Sequence, residues 1–188
     1  MELLDPTPLR YPACLLRVWR AGQLRPVWKR MYSGFFSKAD LQHRKQEAYG
    51  YGFGDWFTSI YLHFCFPNCT VLRRSYFREK DPRFKIALEI VGKRGMEVIR
   101  DIKKLNRTNP PDLLVQPTIG KFFFVEVKKD RDKLRPTQAS AFKNIAAKLG
   151  CKVKLARLKM ITELEDSCMA DECRKAFEKC VRRKSRVR

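Results

Sequence analysis

An α/β fold, a sheet with a helix packed across one face, is predicted by three observations on the 188-residue chain. Between Asp112 and Leu158 the residue pattern reads strand, turn, strand, helix, strand, the order that lays a helix over a sheet. Prolines and glycines fall at the joints of that pattern, at Pro110-Pro111, Gly120, Pro136 and Gly150. Apolar residues make up 44% of the chain, enough for a packed core, which argues against disorder over the whole length.

The elements follow in order. Residues 1–39 carry Pro6, Pro8, Pro12 and Pro26 among aromatic and basic residues and read as an irregular arm with short elements. Ser37 to Glu47 is a polar helical stretch with Ser37 placed to cap it. Tyr49 to Gly54 interleaves glycine with aromatics and punctuates the chain. Asp55 to Phe66 is apolar and long enough for a buried helix, stopped by Pro67-Asn68, and Cys69 to Phe77 reads as a strand. Lys85 to Leu105 has apolar residues at helical spacing, broken by Gly92 and Gly95. Asp112–Gln116 and Phe122–Lys128 are strands joined by a turn over 117–121. Pro136–Leu149 is a helix with proline suited to its first turn and Gly150 to its C-cap. Lys152–Leu158 alternates strictly, as a half-buried strand does. From Thr162 onward the chain is acidic, then basic, and reads as a helix with a cationic end. The expected organisation is an arm over 1–39, a catalytic domain over 40–160 and a basic tail over 161–188.

Charge narrows the partner. Lys and Arg number 41 against 20 Asp and Glu, a net charge of +21, which attracts a polyanion; nucleic acid is favoured over an anionic membrane. No run of 18 apolar residues exists and Met1-Glu2-Leu3-Leu4-Asp5-Pro6 lacks the features of a signal peptide. With seven cysteines, an odd count, the chain is expected to be intracellular with reduced thiols. Cys168, Cys173 and Cys180, with a thiol far upstream, follow an order that also occurs in iron–sulfur nucleases. In a helix, however, such spacings point the thiols in different directions, and they read as small buried residues. His43 and His63 are the only histidines. His63, among Leu62, Phe64 and Phe66, reads as a core residue, and no partner cluster suggests histidine-based chemistry.

One constellation carries chemistry. Adjacent strands joined by a short turn can bring Asp112 and Glu126 together near one end of the sheet, and Glu126 and Lys128, two apart on a strand, share one face. Paired carboxylates are hard oxygen ligands for Mg²⁺ or Mn²⁺, and a lysine beside them can orient water or stabilise charge in a phosphoryl transition state. A Glu-X-Lys on an edge strand is ordinarily a solvated pair. Here it ends an apolar run, Phe122 to Val125, so it must lie at the sheet's rim or be paired.

These residues also resemble a known family. Pro111-Asp112-Leu-Leu-Val, Phe-Phe-Val-Glu126-Val-Lys128, Asp130-Arg-Asp132-Lys-Leu134-Arg-Pro-Thr-Gln138 and Gly150-Cys-Lys-Val153-Lys-Leu155 are similar to the PD-(D/E)XK nuclease superfamily and, more closely, to its VRR-NUC branch, which includes the domain that ends the Fanconi-associated nuclease of DNA repair. The resemblance covers residues 110–158 and implies a restriction-endonuclease-like α/β core, a mixed central sheet flanked by helices, with N-terminal and C-terminal additions. It implies Asp112, Glu126 and the Val127 carbonyl as metal ligands, Lys128 as the catalytic lysine and Gln138 as a supporting group. The family also has an acidic residue on an upstream helix; Asp55 ranks first, Glu47 second and Glu97 third, while a helix-capping role is the alternative for Asp55. Lys129 stands where the family usually has a small residue.

The expected activity is therefore endonucleolytic hydrolysis of DNA with Mg²⁺ or Mn²⁺, selective by family analogy for branched, flap or junction DNA, with a homodimer possible and no membrane partner. The alternatives are a sequence-specific restriction-type endonuclease, a non-catalytic nucleic-acid-binding protein on the same fold, and an RNA-directed nuclease. Two basic regions, Arg73, Arg74, Arg78, Lys80, Arg83 and Lys85, then Lys128, Lys129, Arg131, Lys133, Arg135 and Lys143, together with the cationic tail Arg182–Arg188, are expected to contact phosphates.

Overall fold

The computed structural model describes residues 2–36, 38, 41, 52–73 and 76–161. Six strands form one mixed sheet: β1 (Glu2–Leu3), β2 (Leu9–Pro12), β3 (Thr70–Arg73), β4 (Leu113–Thr118), β5 (Lys121–Lys129) and β6 (Lys152–Ile161). The spatial order is β1-β6-β5-β4-β3, with β2 also on β6 beyond β1. The pairs β3–β4 and β4–β5 are antiparallel, whereas β5–β6, β1–β6 and β2–β6 are parallel. The helices are α1 (Ala13–Arg20), α2 (Leu24–Met31), α3 (Phe53–Cys65), α4 (Arg83–Val91), α5 (Lys93–Asn106) and α6 (Pro136–Leu149). Mixed α/β architecture, with a six-stranded sheet between helices, agrees with the expected fold class. No helix among the described residues is long and apolar enough to cross a membrane.

Alternation along the central strands sorts side chains into two cores. Leu113, Val115, Phe123 and Val125 face α1, α2 and α3, while Leu114, Phe124 and Val153 face α5 and α6. Each fully buried aliphatic or aromatic side chain contributes about 1.5–3 kcal/mol, so a central strand with both faces covered is apolar until it reaches the rim. Strand β5 obeys this: Phe123, Phe124 and Val125 are buried and the charged residues begin at Glu126.

The first 36 residues depart from expectation. Short elements are present as expected, but they are no irregular arm: they supply an edge of the sheet and a helical layer, in which β1 pairs with Lys154–Leu155, β2 pairs with Leu158–Ile161, and α1 and α2 share a core with α3. Trp19 and Trp28, with ring centroids 5.5 Å apart, pack on Phe53 and Trp56. The prolines mark boundaries: Pro12 ends β2 and precedes α1, and its fixed φ suits the extended joint. Two eight-residue helices are too short for periodicity to show them in the sequence.

Elsewhere the differences are local. The stretch Lys85–Leu105 is two helices because Gly92 takes φ 80° and ψ 160°, a conformation open essentially only to glycine. Gly95 does not break α5; a Cβ there would meet Val91 Cγ1 at 2.6 Å, so glycine is what the tight join with α4 admits. Of the strand expected over 69–77, the described residues show Thr70–Arg73 as strand. Helix α6 has the predicted bounds and Gly150 closes it with φ 60°. Of the capped helix expected from Ser37 to Glu47, Lys38 and Leu41 are described and are helical; the rest of it, and the tail with Cys168, Cys173, Cys180 and Arg182–Arg188, lie outside the described residues.

Candidate active site

Strand register builds the site. Leu113 of β4 pairs with Val125 of β5, so one step further Asp112 stands opposite Glu126 on the same face. The double proline Pro110-Pro111 delivers the chain from α5 in an extended form, and the buried Tyr76 hydroxyl donates to the Pro111 carbonyl at 2.9 Å. This pins the backbone one residue before Asp112. The Tyr76 ring stacks on Phe124, whose centroid is 6.2 Å away. Burial, and after it the charges of Asp112 and Glu126, push the Tyr76 phenol well above its ordinary range, so its proton stays in the bond to Pro111.

Because β4 begins at Leu113, β5 at Val127 pairs with β6 on one side and has no strand on the side toward β4. The Asp112 carboxylate takes that place: its Oδ2 accepts from the Val127 N–H at 3.0 Å. In an extended strand the N–H and C=O of one residue point to the same side, so the Val127 carbonyl is directed toward the Asp112 side as well. The Val127 side chain goes to the opposite face, where a Cβ on Gly54 would lie 3.0 Å from its Cγ1. Glycine at the start of α3 thus lets that helix approach the end of β5.

Glu126 is buried, with 3% of its surface exposed, and does not stand alone. The Lys128 ammonium is 2.7 Å from Glu126 Oε1. Gln138, reaching in from the first turn of α6, donates through Nε2 to the same oxygen at 2.9 Å. Gln138 Oε1 in turn accepts from Lys128 Nζ at 3.2 Å and from the Arg135 backbone N–H at 3.3 Å. The amide therefore reads a carboxylate on one end and an ammonium on the other, in the orientation each demands. A cleft of about 540 Å³ opens over this cluster, lined also by Phe77, Arg78, Asn109, Asp132 and Arg135.

Asp112, Glu126, Lys128 and Gln138, four of the residues singled out by sequence, come together in this cleft. Asp55 does not line it: it is buried in the first turn of α3, where negative charge suits the helix dipole, and Gly52 rather than Asp55 occupies the N-cap. Glu89 and Glu97 are exposed on α4 and α5 and do not line the cleft either, and Glu47 lies outside the described residues. Among the described residues no three His, Cys, Asp or Glu side chains gather as a metal cage. The donor set at the cleft is instead two carboxylates and a backbone carbonyl. These are hard oxygens, few in number, and they suit an ion such as Mg²⁺ or Mn²⁺ that keeps several waters; they do not suit a soft metal.

The basic regions are only partly surface. Arg73 is buried with its guanidinium 4.1 Å from the Trp56 ring centroid, and Arg83 is buried against Asp81 at 2.6 Å and donates to the Arg73 carbonyl at 2.6 Å. Both leave the set expected to touch phosphates, whereas Arg78 and Arg135 stay exposed at the cleft. His63 is a core residue as expected: it stacks on Phe35 with centroids 4.4 Å apart, its Nδ1 lies 3.4 Å from Cys69 Sγ, and burial lowers its pKa. Burial also pushes the Cys69 thiol up to about 12.

Three supporting residues were not foreseen. Tyr76, Gly54 and Asp130 fix the site from behind; Gly54 stood in the glycine-punctuated run before α3 and Asp130 opened the family-like string, while Tyr76 had no signal. Asp130 has φ 52°, and its carboxylate accepts from Tyr11 Oη at 2.5 Å and from the Met160 N–H at 2.8 Å. It thereby ties the end of β5 to β2 and β6. The VRR-NUC domain description matches residues 70–160, from β3 nearly to the end of β6, a stretch that contains the whole cleft cluster. Neither a curated protein nor a solved structure matches the chain.

Proposed function

The chain carries a VRR-NUC domain, a nuclease domain of the PD-(D/E)XK type, and on that premise we propose that it is a divalent-metal-dependent endonuclease that hydrolyses DNA phosphodiester bonds. The observation that carries the reading is that Asp112, one residue before β4, and Glu126 of β5 line one cleft, with the Lys128 ammonium 2.7 Å from the second carboxylate. Asp112, Glu126 and the Val127 carbonyl would hold Mg²⁺ or Mn²⁺. When bound, such an ion supplies a water of lowered pKa and screens the phosphate from the carboxylates. Lys128 is held over the cleft by Glu126 and Gln138, where it orients the attacking water or balances charge that grows on the phosphoryl oxygens. Gln138 keeps Glu126 and Lys128 in register and is a positioning residue. Arg78 and Arg135 hold the phosphate backbone at the cleft's mouth.

Selectivity for branched, flap or junction DNA, a homodimer and an intracellular setting belong to the same reading. Family resemblance supports the first two. Cys14, Cys65, Cys69 and Cys151 remain thiols, which fits a reducing compartment. Asp55 completes the proposal as the upstream acidic residue, buried in the first turn of α3 next to Gly54, the residue that approaches Val127.

The test is a panel of labelled duplex, flap, splayed and four-way DNAs incubated with and without Mn²⁺. Wild type cuts near the branch point only with metal, and Glu126→Ala binds but does not cut. Binding without any cleavage by wild type refutes the catalytic reading in favour of a DNA-binding protein. Discrete fragments from a random-sequence plasmid refute structure selectivity in favour of a restriction-type enzyme.

A further inference from the structure

Beside the candidate active site lies a second groove of about 430 Å³ that the catalytic reading does not use. Its floor is the half-buried Phe77 ring and Met96, and its rim carries Arg78, Lys80, Arg100 and Lys103. Met96, Arg100 and Lys103 are four and three residues apart on α5, so one helix face presents all three. Phe77 and Arg78 line both this groove and the catalytic cleft, which makes the two continuous. Among the described residues the one carboxylate on the rim, Glu79, is bound to Arg100 at 2.6 Å. Four cations around an aromatic floor thus face a single anion.

We infer that this groove binds an unpaired, single-stranded stretch of the DNA substrate as it leaves the cleft, with a base stacked on Phe77 and its phosphates on Arg78, Arg100 and Lys103. The identity of the occupant rests on the nuclease reading above. Charge complementarity selects a polyanion, and continuity with the cleft selects the strand already held there. The ring selects against duplex, because the faces of paired bases are covered by their neighbours, whereas an unpaired base has a face to offer. Lys103 Nζ now lies 4.6 Å from the Phe77 centroid, and the Arg78 guanidinium carbon 5.9 Å from it. An incoming nucleotide exchanges partners at this point: the base takes the ring, and the displaced ammonium takes the phosphate that arrives with it, a stronger partner for a cation than a ring face. The edge-on contact of Phe77 with Tyr76, at 5.8 Å, holds the ring in place throughout.

The experiment measures affinity by fluorescence anisotropy in EDTA, so that it does not depend on cleavage. The probes are a blunt duplex, the same duplex extended at either end by a single strand, and the same duplex extended by paired DNA of equal length. The single-stranded extension tightens binding by wild type more than the paired one does. In Phe77→Ala the ratio of tailed to blunt affinity falls by about tenfold, and Phe77→Trp keeps the ratio. Lys103→Ala and Arg100→Ala each reduce the salt slope for the tailed probe by about 0.7. Unchanged thermal unfolding shows that a variant is folded; were Phe77→Ala unfolded, the two cation variants decide alone. Equal tightening by paired and unpaired extensions overturns the proposal, as does a ratio indifferent to Phe77 or a salt slope unmoved by both cations. Absence of cleavage by wild type in Mn²⁺, with these binding differences intact, refutes the nuclease reading and leaves the groove standing.

Discussion

Replacing Gln138 by leucine removes the one side chain that touches both charges of the candidate site. The bond from its Nε2 to Glu126 Oε1 is 2.9 Å long, buried and charge-assisted, so its loss costs about 1.5–3 kcal/mol. The two bonds accepted by Oε1, at 3.2 and 3.3 Å, are long. Lys128 also keeps Glu126 at 2.7 Å, so together they add about 1 kcal/mol. Burial of the leucine side chain offsets about 1 kcal/mol of this. The net destabilisation is about 1.5–3 kcal/mol, which for a domain of this size lowers Tm by about 3–12 °C. Catalysis suffers separately, because Glu126 and Lys128 lose the group that keeps them in register: kcat falls about 10- to 100-fold while KM changes little. Circular-dichroism melting and steady-state cleavage of a labelled flap, run well below the lowered Tm, measure the two effects. A variant that melts with wild type, or one that changes KM and leaves kcat alone, refutes the role assigned to Gln138.

Two further outcomes follow from buried groups. Burial lowers the pKa of His63 from 6.5, so below that pH the unfolded chain takes up the proton more readily than the folded one. Its contribution to stability is full above 6.5 and declines as the pH falls toward the folded value. Urea unfolding at about pH 7.5 and about pH 5.5 shows the decline, and His63→Phe, which keeps the stack on Phe35, makes the slope shallower. Tyr76→Phe removes the donor to the buried Pro111 carbonyl, costs about 1–3 kcal/mol in urea unfolding and weakens Mn²⁺ binding through Asp112. A variant equal to wild type in both measurements contradicts the anchoring role.

What could be read from the chain beforehand follows physical range. The segment 110–158 was legible because its signals are local: a double proline, a two-residue turn at Ile119-Gly120, a proline-opened helix and a glycine that closes it. Register then followed from alternation, and the pairing of Asp112 with Glu126 needs nothing beyond the hairpin. The first 36 residues were opaque because their order is non-local. Tyr11 finds Asp130 across 119 residues, and β2 becomes a strand only when β6 is beside it. Arg73 and Arg83 misled for a related reason: composition counts a cation as surface, whereas Trp56 and Asp81 draw these two inside. Tyr76 carried no sign of its function, since the carbonyl it serves is 35 residues away.

The central claim is that Asp112 and Glu126, from neighbouring strands, grip one divalent ion. Mn²⁺ titration followed by electron paramagnetic resonance tests it without DNA and without turnover. The account predicts a single bound ion in the wild-type protein and its loss in both Asp112→Asn and Glu126→Gln. Undiminished Mn²⁺ binding in either folded variant would contradict it.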